Sequence, residues 1–162
     1  MPLAQESQDM KPRRVPEATL YGVKTLDDQH YRLFDLIEKI ASLANTDDLP
    51  AIETLFGEVL GLMAKHFSDE EQLMIETQYS NAREHSAQHR SLLAEIDRIR
   101  KGMSDNKSVS KRDSHDAVDR IIRHMLLVDG PFKTHLKRIG YRAGTVKVSN
   151  RSAHTDSVAS RY

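Results

Sequence analysis

The sequence predicts an all-α protein, an up-down-up-down four-helix bundle with disordered N- and C-terminal tails. Two observations predict this fold: apolar residues recur at three- and four-residue steps through the central chain, and no hairpin dipeptide separates alternating apolar and polar runs. The length of 162 residues fits one domain with tails. We expect an N-terminal tail at 1–17, the bundle at 18–141 and a basic C-terminal tail at 142–162.

Four amphipathic stripes define the predicted helices, because three- and four-residue steps place side chains on one helix face. The stripes cover about 24–44, about 49–77, His85–Ile99 and Ala117–Val128. The segment 45–48 (Asn-Thr-Asp-Asp) ends the first helix and supplies a cap for the second, whose opening turn tolerates Pro50. We expect Gly130-Pro131 to break or kink the fourth helix before Phe132 and Leu136 resume the pattern.

The composition excludes several kinds of site and partner. Cysteine is absent, which removes disulfides, thiolate catalysis, iron–sulfur clusters and cysteine-based zinc modules. The 24 Lys and Arg balance 24 Asp and Glu, so the net charge does not point to nucleic acid. No apolar run is long enough to span a membrane, and residues 1–20 contain no apolar core of a signal peptide. We therefore expect a cytoplasmic protein.

Histidine is the distinctive residue of this chain. Five of its eight histidines fall on the apolar stripes, on all four predicted helices: His30, His66, His85, His89 and His124. A buried imidazole needs a polar partner, which in most proteins is a hydrogen-bonded neighbour. Here His66 and Glu70, and likewise His85 and His89, lie four residues apart and so project from one helix face. Convergence from four helices favours a metal site on the bundle axis.

The residue types limit which metal such a site would hold. Five imidazoles with carboxylates exceed the needs of one tetrahedral zinc ion. Imidazole and carboxylate without thiolate suit iron, manganese or zinc in higher coordination, so a two-metal centre is the economical interpretation. The Glu-x-x-His spacing of ferritin-like di-iron proteins and the HExxH of metalloproteases are both absent.

Four motifs resemble those of the hemerythrin family, in the same order and spacing across about residues 18–140. They are Asp27-Asp28-Gln29-His30 (D-x-Q-H), the segment 66–74 (H-F-x-x-E-E-x-L-M), the segment 85–89 (H-x-x-x-H) and the segment 124–129, which resembles H-I-x-x-x-D. The resemblance implies a bacterial-type, single-domain hemerythrin. Its cofactor would be two non-haem iron ions (Fe²⁺/Fe³⁺) with an oxo or hydroxo bridge.

The resemblance also implies the ligand set. Seven family ligands fall on His30, His66, Glu70, His85, His89, His124 and Asp129. Glu70 and Asp129 would bridge the two irons. By the family pattern, three histidines (85, 89 and 124) serve one iron, and the other two serve the second, which keeps an open position for O₂.

The implied function is reversible binding of dioxygen, for storage, delivery or buffering, by a protein that is not an enzyme. Candidates for the apolar wall of the O₂ pocket, which could equally be ordinary core, are Leu33, Phe67, Ile121, Met125 and Leu126. Two alternatives stay open: a sensor of O₂, redox state or NO that acts through a partner, supported only by the basic tail, and an oxidase- or peroxidase-like di-iron enzyme. A protein partner cannot be named from the sequence.

Several residues depart from the family pattern or lie outside it. The family commonly has two tryptophans, whereas this chain has none, and Arg120 stands four residues before the last ligand histidine, where one of them is expected. His115, His135 and His154 lie off the ligand pattern, and we expect them at the surface or in the tail. Glu71 is expected to be a surface or outer-sphere acid rather than an eighth ligand.

Overall fold

The computed structural model of the protein describes residues 15–43, 46, 48–104 and 111–142. In chain order its elements are a 3₁₀ turn at Glu17–Thr19, α1 at Lys24–Leu43, α2 at Leu49–Glu76, α3 at Ala82–Ser104, α4 at Lys111–Arg123, a π-helical turn at His124–Val128 and α5 at Asp129–Arg138. No strand occurs within these ranges, and α4, the π-helical turn and α5 follow one another directly as the fourth helix. The prediction of an all-α four-helix bundle is confirmed.

The limits of the first two helices agree with the sequence pattern. The helix predicted at about 24–44 is Lys24–Leu43, and the helix predicted at about 49–77 is Leu49–Glu76. The Asp48 side chain accepts a hydrogen bond from the Ala51 N–H at 3.1 Å, so it satisfies one of the free donors at the start of α2. Pro50 lies in that first turn, where its missing N–H has no partner to lose.

The core consists of two hydrophobic clusters with polar side chains between them. The larger cluster includes Leu33, Phe67 and Met125, and the smaller includes Tyr21 and Phe132. Both clusters provide rings that contact buried histidines: Phe67 stacks on His89, and Tyr21 and Phe132 lie against His30 and His85. The bundle therefore encloses a polar layer instead of a continuous apolar core.

The fourth helix is distorted before Gly130-Pro131, not at it. Gly130 and Pro131 both lie within α5, which continues to Arg138, so the helix does not end at this pair. The irregularity is instead the π-helical turn at His124–Val128, where the Asp129 N–H bonds to the His124 carbonyl oxygen. The expected break at Gly130-Pro131 was wrong in position, because the wider turn already opens the helix upstream and the chain continues through the proline.

The predicted tails lie mostly outside the described residues, which begin at Val15 and end at Arg142. Within the predicted N-terminal tail, Val15 is half-buried and packs against the larger cluster. Thr19, just beyond it, is fully buried. The segment from Val15 therefore belongs to the packed structure. No helix among the described residues is long and apolar enough to cross a membrane.

Candidate metal centre

All seven predicted ligands converge in the polar layer of the bundle. They come from all four helices of the bundle: His30 from α1, His66 and Glu70 from α2, and His85 and His89 from α3. The fourth helix contributes His124 from its π-helical turn and Asp129 from the start of α5. All are buried. Their ligand atoms form two groups, each within 4.8 Å: a three-histidine cluster (Glu70, His85, His89, His124, Asp129) and a two-histidine cluster (His30, His66, Asp129).

The three-histidine cluster is held around two carboxylates. Asp129 Oδ1 lies 3.2 Å from both His85 Nε2 and His124 Nε2. Glu70 Oε2 lies 3.3 Å from His89 Nε2, and Glu70 Oε1 lies 3.7 Å from His85 Nε2. Three imidazoles and two carboxylates thus face one point.

The two-histidine cluster adjoins it through the same two carboxylates. His30 Nε2 and His66 Nε2 are 3.1 Å apart. Asp129 Oδ2 lies 4.0 Å from His30 Nε2, and Glu70 Oε2 lies 3.7 Å from His66 Nε2. Each oxygen of Asp129 faces a different cluster, which is the arrangement that a carboxylate bridging two metal ions requires.

The π-helical turn explains how Asp129 joins this centre. In an ideal α-helix, residues five apart are separated by about 140° around the axis. The i→i+5 hydrogen bond from the Asp129 N–H to the His124 carbonyl brings the two residues one turn apart on the same side. The turn therefore directs both side chains into the bundle.

The buried polar atoms of the centre fit a metal ion. Six of them have no hydrogen-bond partner: Glu70 Oε2, His85 Nε2, His89 Nε2, His124 Nε2 and both Asp129 carboxylate oxygens. A buried polar atom without a partner is costly, and a metal ion bound at this point would give all six of them a partner. Imidazole and carboxylate donors without thiolate are the set that non-haem iron accepts.

Outer hydrogen bonds orient three of the imidazoles. The His30 Nδ1–H donates to the Thr19 carbonyl oxygen at 2.8 Å, and the His66 Nδ1–H donates to Gln29 Oε1 at 2.9 Å. The His89 Nδ1–H donates to Glu71 Oε1 at 2.8 Å. A ring that donates through Nδ1 presents Nε2 as the metal-binding lone pair. Glu71 is therefore an outer-sphere acid, as expected. Gln29 is fixed in turn, since its Nε2 donates to Asp69 Oδ2 at 2.6 Å.

Electrostatics keep most of these groups ready to bind a cation. Burial lowers the pKa of His30 and His66, and it lowers the pKa of His89 to about 4, so the neutral, metal-binding form prevails. Burial, followed by the charge of Asp129, raises the pKa of Glu70 to about 8. Burial also opposes ionisation of Asp129, but the imidazoles of His124 and His85, each 3.2 Å from its Oδ1, hold the pKa of Asp129 well below the usual range.

The residues of the predicted pocket wall are largely buried in the core. Four of its five residues belong to the larger hydrophobic cluster: Leu33, Phe67, Ile121 and Met125. The Phe67 ring stacks on His89 with centroids 3.8 Å apart and planes 5° apart. Leu126 is only half-buried and is not among the residues of either cluster. Phe67 therefore contacts the centre, and contact with bound O₂ remains a prediction for all five residues.

Arg120 does not take the place of a pocket residue. Its side chain is exposed, and its Nη1 lies 2.9 Å from Glu95 Oε2. The position that commonly holds a family tryptophan therefore forms a surface ion pair here.

The three histidines outside the candidate centre differ in their positions in the structure. His115 is exposed, as expected, and His154 lies outside the described residues. The expectation was wrong for His135, which is buried. Its Nε2–H donates to the Thr77 carbonyl oxygen at 2.9 Å, and its ring stacks beside Phe132, so it connects α5 to the end of α2 as a structural residue.

Two residues at the centre were missed in the sequence. The buried Tyr21 hydroxyl donates to Glu70 Oε1, and no motif marks Tyr21. Lys133 is buried, and its Nζ donates to the carbonyl oxygens of Met125 (2.8 Å) and Ala18 (2.6 Å). Only its spacing of four from Asp129 could have drawn attention to Lys133.

Comparison with known proteins identifies the family. The family model described as "Hemerythrin HHE cation binding domain" matches residues 21–135, well over half of the chain. The chain belongs to the hemerythrin family. This match includes all seven candidate ligands, whose roles as ligands stay predictions.

Individual relatives and solved structures agree with this assignment. Bacteriohemerythrin from Campylobacter jejuni is 36% identical over 76 residues, which are 46% of this chain and 56% of that protein's length. Hemerythrin subunit 1 from Golfingia vulgaris is 29% identical over 108 residues, or 67% of this chain and 79% of that one. A crystal structure of wild-type hemerythrin (TM-score 0.64, 24% identity) covers 72% of this chain and 90% of its own. The match to the structure of a leucine-to-alanine mutant of hemerythrin (TM-score 0.67, 23% identity) covers 78% of this chain and 98% of the mutant chain. These structures show the shared four-helix fold.

Proposed function

We propose that this hemerythrin-family protein binds dioxygen reversibly at a non-haem di-iron centre, for storage, delivery or buffering of oxygen rather than as an enzyme. One observation carries the proposal: two imidazole clusters, one with three histidines and one with two, share Asp129, while Glu70 stands between them. Unequal numbers of histidines leave the two-histidine side with fewer protein ligands. That is the side on which we place the open position for O₂.

The side chains around the clusters favour release of the bound gas over further reduction. When bound, two ferrous ions would supply the two electrons that the binding of O₂ draws on. Leu33, Phe67, Ile121 and Met125 are buried members of the larger hydrophobic cluster, and we expect them to keep water away from the bound gas. Two of the histidines, His66 and His89, are poor proton donors, since burial lowers the pKa of His66 well below its usual range and that of His89 to about 4. Poor proton supply slows conversion of reduced oxygen to peroxide or water.

The test is anaerobic reconstitution with ferrous iron, followed by cycles of O₂ addition and removal under a visible spectrometer. We expect charge-transfer bands that appear with O₂ and vanish on its removal over repeated cycles, with two irons per chain. Irreversible bleaching with turnover of a reductant would instead indicate the oxidase- or peroxidase-like alternative. Tight binding of NO without reversible O₂ binding would favour the sensor.

A further inference from the structure

Tyr21 contacts the candidate centre in a way that the proposed function does not use. Its side chain is buried, and its hydroxyl donates to Glu70 Oε1, which lies 49 positions away in sequence. A buried donor aimed at a candidate bridging carboxylate points to a role at the metal centre.

Hydrogen bonds from the backbone at Tyr21 and Gly22 fix the position of this segment. The N–H groups of Tyr21 and Gly22 donate to the two carboxylate oxygens of Asp27, at 2.6 and 3.0 Å. Gly22 has a φ of 74°, a left-handed conformation that glycine adopts without strain. These contacts set the direction in which the Tyr21 side chain leaves the chain and enters the bundle.

Side chains from α1 and α5 contact the Tyr21 ring. Lys133 Nζ lies 5.4 Å from the centroid of the Tyr21 ring and also donates to the carbonyl oxygen of Ala18, three residues earlier in the chain. Phe132 lies edge-on to the ring with centroids 6.0 Å apart, and His30 lies 5.6 Å away on α1. The hydroxyl is therefore held in place and has little freedom to leave Glu70.

This contact determines which oxygen of Glu70 is free. Oε1 accepts the hydrogen bond from Tyr21, whereas Oε2 has no protein partner and lies 3.3 Å from His89 Nε2 and 3.7 Å from His66 Nε2. We propose that Tyr21 is a positioning residue of the di-iron centre: it orients Glu70 so that Oε2 faces both clusters, and it weakens the electron donation of Glu70 to the metals. This inference rests on the proposed di-iron centre.

The experiment compares Y21F with wild type, and uses Y79F as the matched control. Tyr79 also lies near the centre, with its ring 6.5 Å from that of His85. Each protein is titrated anaerobically with Co²⁺, in place of iron, against a competing chelator. We expect Y21F to bind Co²⁺ roughly 10- to 100-fold more weakly, the usual effect of losing an outer-sphere partner of a metal ligand. Its cobalt d–d bands at saturation should also shift, whereas Y79F should match wild type in both.

The spectrum at saturation separates positioning from simple stability. A role of Tyr21 in folding alone would change the affinity but not the bands of the fully loaded site, so unchanged bands in Y21F would overturn the proposal. If Y21F does not fold, 3-fluorotyrosine placed at position 21 keeps the ring and makes the hydroxyl a stronger donor. The bands should then move from the wild-type position, and wild-type bands would overturn the proposal.

The outcome is distinct from that of the oxygen experiment. Wild type that takes up two Co²⁺ and shows the Y21F shift, but fails to bind O₂ reversibly with iron, would contradict the proposed function and leave the role of Tyr21 intact. Wild type that binds no Co²⁺ at any accessible concentration would overturn both proposals.

Discussion

Replacing Lys133 with methionine should destabilise the part of the bundle that carries the candidate centre. Lys133 Nζ donates to the carbonyl oxygen of Met125, within the π-helical turn, and to that of Ala18, within the 3₁₀ turn. It thus connects the segment that carries Tyr21 to the turn that directs His124 into the bundle. K133M keeps an unbranched side chain that is one atom shorter, and it removes both hydrogen bonds.

The size of the effect follows from these contacts. A hydrogen bond from a charged donor contributes about 1.5–3 kcal/mol, so two contribute roughly 3–6 kcal/mol. Burial lowers the pKa of Lys133, which shows that the ammonium group is itself costly to bury, and its removal returns part of that sum. Methionine fills a similar volume, so no cavity adds to the loss. We expect a net loss of about 2–3 kcal/mol, or a fall in Tm of about 4–12 °C for a chain of this size.

The assay is urea and thermal denaturation of the metal-free protein, followed by circular dichroism, with K137M as the control. Lys137 lies on the same helix and is exposed, so K137M should stay within about 0.5 kcal/mol of wild type. K133M should also take up less metal, since the π-helical turn loses its anchor. If K133M unfolds at the same urea concentration and temperature as K137M, the reasoning about Lys133 is refuted.

Three further predictions concern the ligands themselves. D129A should bind neither metal ion, because Asp129 belongs to both clusters, whereas H30A should lose one ion. Equal metal content of D129A and H30A by mass spectrometry would contradict the shared role of Asp129. The pKa of Glu70 is raised to about 8, so Co²⁺ binding at pH 7 should release a proton from Glu70 in wild type. The control E38Q, which changes an exposed glutamate, should release the same proton, and E70Q should not. Equal proton release by all three proteins in a pH-stat would contradict this. The pKa of His89 is lowered to about 4 in the folded protein, below its value of about 6.5 in the unfolded chain. Metal-free wild type should therefore lose stability relative to H89Q as the pH falls from about 6.5 to 4. If urea titrations give a stability difference between the two proteins that does not change with pH, a buried neutral imidazole at His89 is contradicted.

The convergence of the candidate ligands on α1 to α3 could be predicted because helical periodicity is a local property. His66 with Glu70, and His85 with His89, lie four residues apart on stripes of apolar residues, and α-helical geometry alone directs each pair to one side. Asp129 could be assigned only through the family resemblance. Its position depends on a π-helical turn, whose formation is decided by tertiary contacts and leaves no periodic pattern in the sequence.

The residues that support the ligands could not be predicted for a related reason. Tyr21 reaches Glu70 across 49 positions and Lys133 reaches Ala18 across 115, so their contacts exist only once the helices have packed. His135 has neither the spacing nor the motif of a ligand, and it is buried because the Thr77 carbonyl oxygen at the end of α2 offers it an acceptor. Long-range partners of this kind have no signature in a single sequence.

The central claim is that two metal ions lie side by side among these seven side chains. Diffraction at the iron absorption edge, from crystals of the iron-reconstituted protein, tests it most directly. We expect two anomalous peaks per chain, one bounded by the three-histidine cluster and one by the two-histidine cluster, with Asp129 between them. A single peak, or peaks away from these residues, would contradict the account.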